Sequence, residues 1–126
     1  MSFTLKTLDH IALPVKNAER SVTWYSSVLG LRKETRTEWG PFPILMLSAD
    51  GTGLALFQMP EGNPLSPTTN RPHIAFAVSF SEFKNVQSHL GDIQQEFTFE
   101  DHTSSKSIYM RDPDAYYIEV TTYIEN

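Results

Sequence analysis

The 126-residue sequence contains no cysteine. It therefore has no disulfide framework and no thiolate metal site, and a reducing cytoplasm is the expected compartment. No apolar run approaches the roughly 18 residues that a membrane-spanning helix needs. The N-terminal residues also lack the apolar core of a signal peptide. We therefore predict a cytoplasmic protein with no membrane partner.

Basic residues are also scarce. Ten Lys and Arg stand against fifteen Asp and Glu, the net charge is −5, and no basic cluster occurs. We therefore do not expect nucleic acid as a partner, because proteins bind its phosphates through clustered Lys and Arg. The hydrophobic share of 40% and the length both suit one globular domain with a real core.

The sequence does contain an internal repeat. LDHIALPV begins at Leu8 and RPHIAFAV begins at Arg71, which places His10 and His73 63 residues apart. Alternation along each predicted strand puts the histidine with small residues on one face and the bulky apolar residues on the other. The bulky face suits packing against a helix, and the small face leaves room for a ligand.

A helix and three further strands are predicted after each repeat. Asn17 is a candidate N-cap and Gly30 a candidate C′ residue for the first helix; Ser79 or Ser81 and Gly91 bound the second. The predicted strands are 32–39, 44–49, 53–59, 94–100, 105–111 and 115–123.

These elements predict a single α+β domain over residues 1–126. Module one spans 1–60, a Pro-rich linker spans 61–71, and module two spans 72–126. Each module reads β-α-β-β-β, and the two tandem modules are expected to form an open, barrel-like mixed sheet around a cleft. A sheet of this size with one helix leaves a free face and a free edge, so the modules must cover each other within the chain or across a dimer.

The repeat also selects candidate metal ligands. Glu119 lies on the last predicted strand of module two, and the matching slot of module one holds Gln58. Together with His10 and His73, Glu119 makes a two-imidazole, one-carboxylate set that suits Fe²⁺, Mn²⁺, Ni²⁺ or Zn²⁺ with open positions. Gln58 is either a fourth ligand or an ordinary polar residue. Each of the other three also has a plain alternative, as a hydrogen-bonded or solvated side chain.

The stretches LDHIALPVKNAERSVTWYSSVLGL, PHIAFAVS and SIYMRDPDAYYIEV resemble the vicinal oxygen chelate superfamily, which includes glyoxalases, bleomycin resistance proteins and extradiol dioxygenases. The resemblance covers the whole chain and implies a glyoxalase-like fold with one metal in a cleft. It implies His10, His73 and Glu119 as ligands, with Gln58 near the fourth position. It also implies a homodimer. Ala115 stands where the family commonly has glycine after DPD.

Within the superfamily, DHTSSKSIYMRDPDAYYIE resembles the C-terminal part of extradiol ring-cleaving dioxygenases. That resemblance implies His102 as an acid/base and Tyr109 as a hydrogen-bond donor beside a small, oxygen-chelating substrate. The expectation is therefore a small metal-dependent enzyme, with ring cleavage favoured. In the plain alternative, His102 is a loop residue and Tyr109 a core aromatic.

Two other classes stay open. A glyoxalase I-like lyase or methylmalonyl-CoA epimerase-like isomerase needs a carboxylate base, for which Glu38 is the candidate. A bleomycin-resistance-type protein would bind a drug without catalysis. Lys106, Arg36 and Arg71 are candidates to attract an anionic substrate, or are plain surface cations.

Overall fold

The computed structural model describes residues 2–61 and 72–124. The chain divides into two compact units, Met1–Pro64 and Leu65–Asn126. The predicted module boundaries and linker stay predictions, because all of the linker except Glu61 lies outside the described residues.

Both units have the predicted order of elements. The first contains β1 (His10–Val15), α1 (Ala18–Leu29), β2 (Arg32–Glu34), a 3-10 turn (Thr37–Trp39), β3 (Ile44–Leu47) and β4 (Gly53–Gln58). The second contains β5 (Ile74–Ala77), α2 (Phe80–Asp92), β6 (Thr98–Asp101), β7 (Ser105–Arg111) and β8 (Tyr117–Tyr123). The α+β class and the repeated β-α-β-β-β module are confirmed.

Each unit has its own four-stranded mixed sheet, and the strand order is the same in both. The orders are β1-β4-β3-β2 and β5-β8-β7-β6. The first strand of each unit runs parallel to the last, and the other pairs are antiparallel. The helix supplies the crossover that a parallel pair requires.

The ends of α1 follow the sequence signals. Asn17 accepts a hydrogen bond from the backbone N–H of Arg20 at 3.0 Å, which satisfies one of the free donors of the first turn. Gly30 closes the helix in the left-handed region at φ 67°, where a side chain would be strained.

The ends of α2 differ from the prediction. Ser79 takes the N-cap position without a side-chain capping bond, and Gly91 lies inside the helix, which continues to Asp92. The predicted stop at Gly91 is therefore wrong, since Gln94 takes the left-handed conformation after the helix at φ 58°. Neither helix of the described residues is long and apolar enough to span a membrane.

Several strands are shorter than predicted. β2 ends at Glu34, and the rest of the predicted 32–39 strand contains the 3-10 turn at Thr37–Trp39. β6 begins at Thr98, four residues later than the sequence pattern suggested. Local strand propensity does not decide where pairing stops, because that depends on the neighbouring strand.

The predicted two-faced strands are present in both units. In β1, Leu13 and Val15 are buried, whereas His10 and Ala12 are exposed. The buried side chains join α1 and the inner strands in a core that includes Tyr25, with no exposed surface. In β5 the small residues Ala75 and Ala77 are likewise exposed. Within each unit, the sheet thus packs one face on the unit's own helix, and the histidine lies on the opposite face.

The turn between β7 and β8 is held by one buried carboxylate. Asp112, only 5% exposed, accepts hydrogen bonds from the backbone N–H groups of Asp114 at 2.8 Å and Tyr116 at 2.9 Å. Ala115 lies in this turn at φ 68°, a conformation that costs a residue with a Cβ on the order of 1–2 kcal/mol. In the family that the sequence resembles, glycine commonly occupies this turn position, and here alanine occupies it.

Candidate active site

The second unit brings His73 and Glu119 together. Ala75 on β5 pairs in register with Glu119 on β8, and His73 precedes β5 by one residue on the same face. The imidazole Nε2 of His73 lies 2.7 Å from Oε1 of Glu119. Both side chains are largely shielded from solvent, with 28% and 12% of their surfaces exposed. The pair therefore presents a nitrogen and a carboxylate oxygen at one point of the sheet.

Ser107 fixes the other oxygen of the carboxylate. This fully buried serine on β7 donates from Oγ to Oε2 of Glu119 at 2.6 Å, and its Oγ also lies 3.0 Å from Oγ1 of Thr121. Glu119 thus has Oε2 occupied by the protein and Oε1 directed to His73. The alternation of Ser107 with Tyr109 along β7 was visible in the sequence, but a role for the serine was not predicted.

Tyr109 lies beside this pair and contacts the second candidate catalytic residue. It pairs in register with Glu119, and its ring lies edge-on to that of His73 with 6.0 Å between ring centroids. Its hydroxyl is 3.3 Å from Nε2 of His102. Burial and the negative charge of Glu119 raise the pKa of the Tyr109 phenol. The phenol therefore keeps its proton at neutral pH and can act as a donor.

The side chain of His102 is more exposed than that of His73, at 43% against 28%. Its Nε2 also lies 3.5 Å from a carboxylate oxygen of Glu100. The structure thus places His73, Glu119, Tyr109 and His102 in one chain of neighbours within the second unit. This is an arrangement in which a proton donor and an acid/base flank a pair of potential ligands.

A cavity of about 310 Å³ opens in the same unit. Its lining includes Tyr109 and Arg111 of β7, Thr98 of β6 and Tyr117 of β8. These residues lie on the face that carries Glu119, because Thr98 pairs with Tyr109 and Arg111 pairs with Tyr117. The volume is at the small end of the range for ligand pockets, roughly 300–1,000 Å³.

His10 belongs to the first unit. It begins β1, its side chain is 48% exposed, and its Nδ1 lies 2.8 Å from a carboxylate oxygen of Asp9. An aspartate at Nδ1 favours the tautomer whose Nε2 lone pair is free. The ligand role of His10 stays a prediction of the sequence repeat.

Gln58 lies on the other face of the first sheet. It pairs in register with Val15, a fully buried residue on the helix side, and its Oε1 accepts the backbone N–H of Ala18 at 2.9 Å. The sequence repeat matches Gln58 of module one with Glu119 of module two. In the strand register, however, these two residues do not hold equivalent positions. Ala55 opposes Ala12 in the first unit, as Glu119 opposes Ala75 in the second, so β4 has alanine at the position of the carboxylate. The structure places Gln58 as a cap of α1.

Neither unit alone brings together three ligands. Over residues 2–61 and 72–124, no group of three His, Cys, Asp or Glu side chains within a unit has a spacing that could hold a metal ion. The second unit supplies two donors of suitable chemistry, the imidazole of His73 and the carboxylate of Glu119. Their separation is close to that of two adjacent ligands on one divalent cation with bonds of about 2.0–2.2 Å, so these two residues fit such an ion.

Residues 7–120 match the model of the Glyoxalase/Bleomycin resistance protein/Dioxygenase superfamily. The chain belongs to this superfamily, which confirms the family resemblance. It is also 28% identical over 119 residues to the metallothiol transferase FosB of Shouchella clausii, a match that covers 91% of this chain and 79% of the relative.

Solved structures show the same fold. A glyoxylase/bleomycin resistance protein/dioxygenase domain from Frankia superposes with a TM-score of 0.79 at 20% identity, covering 98% of this chain and 96% of that one. The fosfomycin resistance protein FosX of Listeria monocytogenes superposes with a TM-score of 0.74 at 16% identity, covering 96% of each chain. At these identities the likeness concerns the fold alone.

The contact between Ser107 and Glu119 leads to a testable prediction. Ser107→Ala should weaken divalent-cation binding by about 10- to 100-fold, the usual cost of losing a group that orients a ligand. Isothermal titration with Mn²⁺ measures this affinity. Ser21→Ala, which removes an equally buried serine hydroxyl from α1, is the matched control and should leave it unchanged. Equal affinity for Ser107→Ala and wild type would contradict the orienting role.

Proposed function

We propose that this protein is a divalent-metal-dependent enzyme that acts on a small substrate with two adjacent oxygen atoms. The main support is the pair formed by His73 Nε2 and Glu119 Oε1 at 2.7 Å, with Tyr109 beside it on the same sheet face. Membership of the superfamily and the relative described as a metallothiol transferase agree with this proposal.

His73 and Glu119 are the proposed ligands of the second unit, and the repeat predicts His10 as the third. Imidazole and carboxylate donors suit Fe²⁺, Mn²⁺, Ni²⁺ or Zn²⁺. When bound, such a cation supplies a Lewis acid that favours the deprotonated form of a chelated hydroxyl or polarises a bound oxygen.

The other residues handle orientation and protons. Ser107 holds Oε2 of Glu119, which leaves Oε1 as the donor atom. Tyr109 offers its hydroxyl proton, because its raised pKa keeps the phenol neutral. His102, 3.3 Å from that hydroxyl, is placed to receive or return a proton at the edge of the site. A positioned acid/base of this kind contributes about 10²–10⁴-fold to a rate.

Ring cleavage of a catechol is the reaction that this arrangement favours. A catechol offers two adjacent oxygens to a cation, and O₂ is the second substrate. One ring C–C bond next to the diol breaks, and both atoms of O₂ enter the product, a ring-opened semialdehyde acid. His102 can accept a hydroxyl proton that the catechol releases and return it to the product, and Tyr109 can donate a hydrogen bond to a substrate oxygen.

Thiol transfer to an epoxide is the second candidate, and the FosB relative is the observation that favours it. The thiol sulfur forms a bond to one epoxide carbon while the C–O bond at that carbon breaks. The thiol proton ends on the new hydroxyl, so no oxidant is needed. The FosX structure, described as a fosfomycin resistance protein, makes fosfomycin the epoxide to test.

Two assays with the same protein separate these reactions. In the first, metal-free protein is loaded anaerobically with Fe²⁺, mixed with a panel of catechols and exposed to air while oxygen uptake and yellow product are recorded. In the second, protein with Mn²⁺ is given fosfomycin and L-cysteine, and the thioether is detected by mass spectrometry. We expect turnover in the first assay.

Matched variants control these assays. His73→Ala should abolish turnover, whereas His89→Ala, which changes an exposed histidine in α2, should retain it. Thioether formation without oxygen uptake would replace ring cleavage with thiol transfer. Inactivity in both assays, with no binding of any of the four cations, would overturn the proposal of a metal-dependent enzyme.

We also propose that the chain forms a homodimer. Exposed apolar side chains near the N-terminus support this, since Phe3, Leu5 and Leu8 are 63–83% exposed and such residues commonly mark an interaction surface. Light scattering at micromolar concentration should give twice the 14.3 kDa chain mass. A mass of one chain would contradict the proposal.

A further inference from the structure

The cavity beside Tyr109 contains a cation that the proposed reactions do not use. We propose that Arg111 binds an anionic group of the substrate there, so that the substrate is a small, ring-sized carboxylate or phosphonate. The inference builds on the proposed function, because it names the substrate class of the same site. Its own basis is the geometry of Arg111.

Arg111 has no direct ion pair within the described residues. Two other arginines, Arg32 and Arg36, share the carboxylate of Glu34 at 3.3 and 2.8 Å, whereas no carboxylate oxygen among residues 2–61 and 72–124 forms such a bridge with Arg111. Glu96 is the other charged residue of the cavity lining, and it lies beyond ion-pair distance of the guanidinium. Among the residues that the structure describes, the charge of Arg111 therefore has no direct carboxylate partner.

The guanidinium is nevertheless held in place. Its carbon lies 4.0 Å from the centroid of the Tyr117 ring, Nη2 donates to the Tyr117 hydroxyl, and Nη1 donates to the carbonyl oxygen of Ala115 at 3.2 Å. Guanidinium carries five N–H donors, so these two contacts leave donors for a ligand. A fixed guanidinium binds a carboxylate or phosphonate with less loss of side-chain freedom than a mobile one.

The distance along the strands sets the length of the substrate. Arg111 and Tyr109 are two residues apart on β7, and Tyr117 and Glu119 are two apart on β8. Two residues of a strand span about 7 Å, which is close to the length of one substituted aromatic ring. A substrate with its anion at Arg111 thus places oxygens on the far side of a ring near His73 and Glu119. A cavity of 310 Å³ suits one ring.

Binding of simple anions to the metal-free protein tests this inference. Phenylphosphonate, benzoate and neutral benzyl alcohol are titrated separately in the presence of EDTA, and binding is followed in ¹H–¹⁵N NMR spectra. Both anions should bind about 10- to 100-fold more tightly than the alcohol, the usual range for charge-assisted bonds to one guanidinium. The shifted resonances should be those of Thr98, Tyr109, Arg111 and Tyr117.

Substitutions separate the charge from the packing of Arg111. Arg111→Gln should remove the preference for the anions, Arg111→Lys should keep part of it, and Arg36→Gln should leave it unchanged. A preference that survives in Arg111→Gln would overturn the inference, as would equal affinities for anion and alcohol in wild type. The inference would also be overturned if the anions shifted only NMR resonances of residues outside the cavity. This outcome is measured on wild type, so it does not depend on whether a variant folds.

The experiment is independent of the metal. If the protein binds no divalent cation but still prefers the anions at Arg111, the metal-dependent function fails and the anion site stands. If cation binding and turnover are found without a preference for anionic substrates, the anion site fails and the proposed function stands. If a carboxylate added to the substrate lowers KM, and Arg111→Gln removes this decrease, the result would support both the anion site and the proposed function.

Discussion

Glu119→Ala and His73→Ala should each abolish measurable binding of Mn²⁺. Each removes one of the two donors that lie 2.7 Å apart, so the loss should exceed the ~10–100-fold expected when only an orienting group such as Ser107 is removed. Turnover in the assays described above should fall to background. Isothermal titration of metal-free protein measures the affinity, and oxygen uptake or thioether formation measures the activity.

Two controls separate loss of the metal from loss of the fold. Glu119→Gln keeps an oxygen that can accept from Ser107 but removes the negative charge, so it should weaken Mn²⁺ binding while the free energy of unfolding in EDTA stays near that of wild type. His89→Ala should keep both affinity and activity. If the Glu119→Gln variant and the His73→Ala variant both bound Mn²⁺ as tightly as wild type, the cation would have to bind elsewhere.

Asp112→Ala should lower the free energy of unfolding by about 2–4 kcal/mol. The substitution leaves the backbone N–H groups of Asp114 and Tyr116 without their acceptor, and a buried donor without a partner costs about 1–3 kcal/mol. It also loosens the turn that sets β7 against β8, and these two strands carry Ser107, Tyr109 and Glu119. Urea unfolding followed by circular dichroism measures the change.

Two variants of the same turn serve as controls. Asp112→Asn keeps an oxygen that can accept the two hydrogen bonds, so it should lose less than Asp112→Ala. Ala115→Gly should raise the free energy of unfolding by about 0.5–1 kcal/mol, because relief of the positive φ exceeds the entropy that glycine loses on folding. Equal stability of Asp112→Ala and wild type would mean that the turn is held by other contacts.

Much of the second unit was predictable from sequence, because its signals are local or repeated. Alternation along a strand fixes which side chains share a face. It therefore grouped His73 with the small residues of β5, and Glu119 with Tyr117 and Thr121. The spacing of Tyr109 and His102 before Glu119 carried a family resemblance, and the structure brings Tyr109 into contact with His102 and His73. The ends of α1 were equally clear, since Asn17 and Gly30 have the conformations that those residue types favour.

The sequence by itself determined the repeated module and the two-faced strands, and its family resemblance singled out His73, Glu119, Tyr109 and His102 as candidates. Only the tertiary structure decided the strand register, which places Ala55 rather than Gln58 opposite Ala12. A small error in register moves a side chain to the other face of the sheet, and no local pattern reports it. The same holds for the bond from Ser107 to Glu119 and for the contact of Arg111 with Tyr117, because both join separate strands.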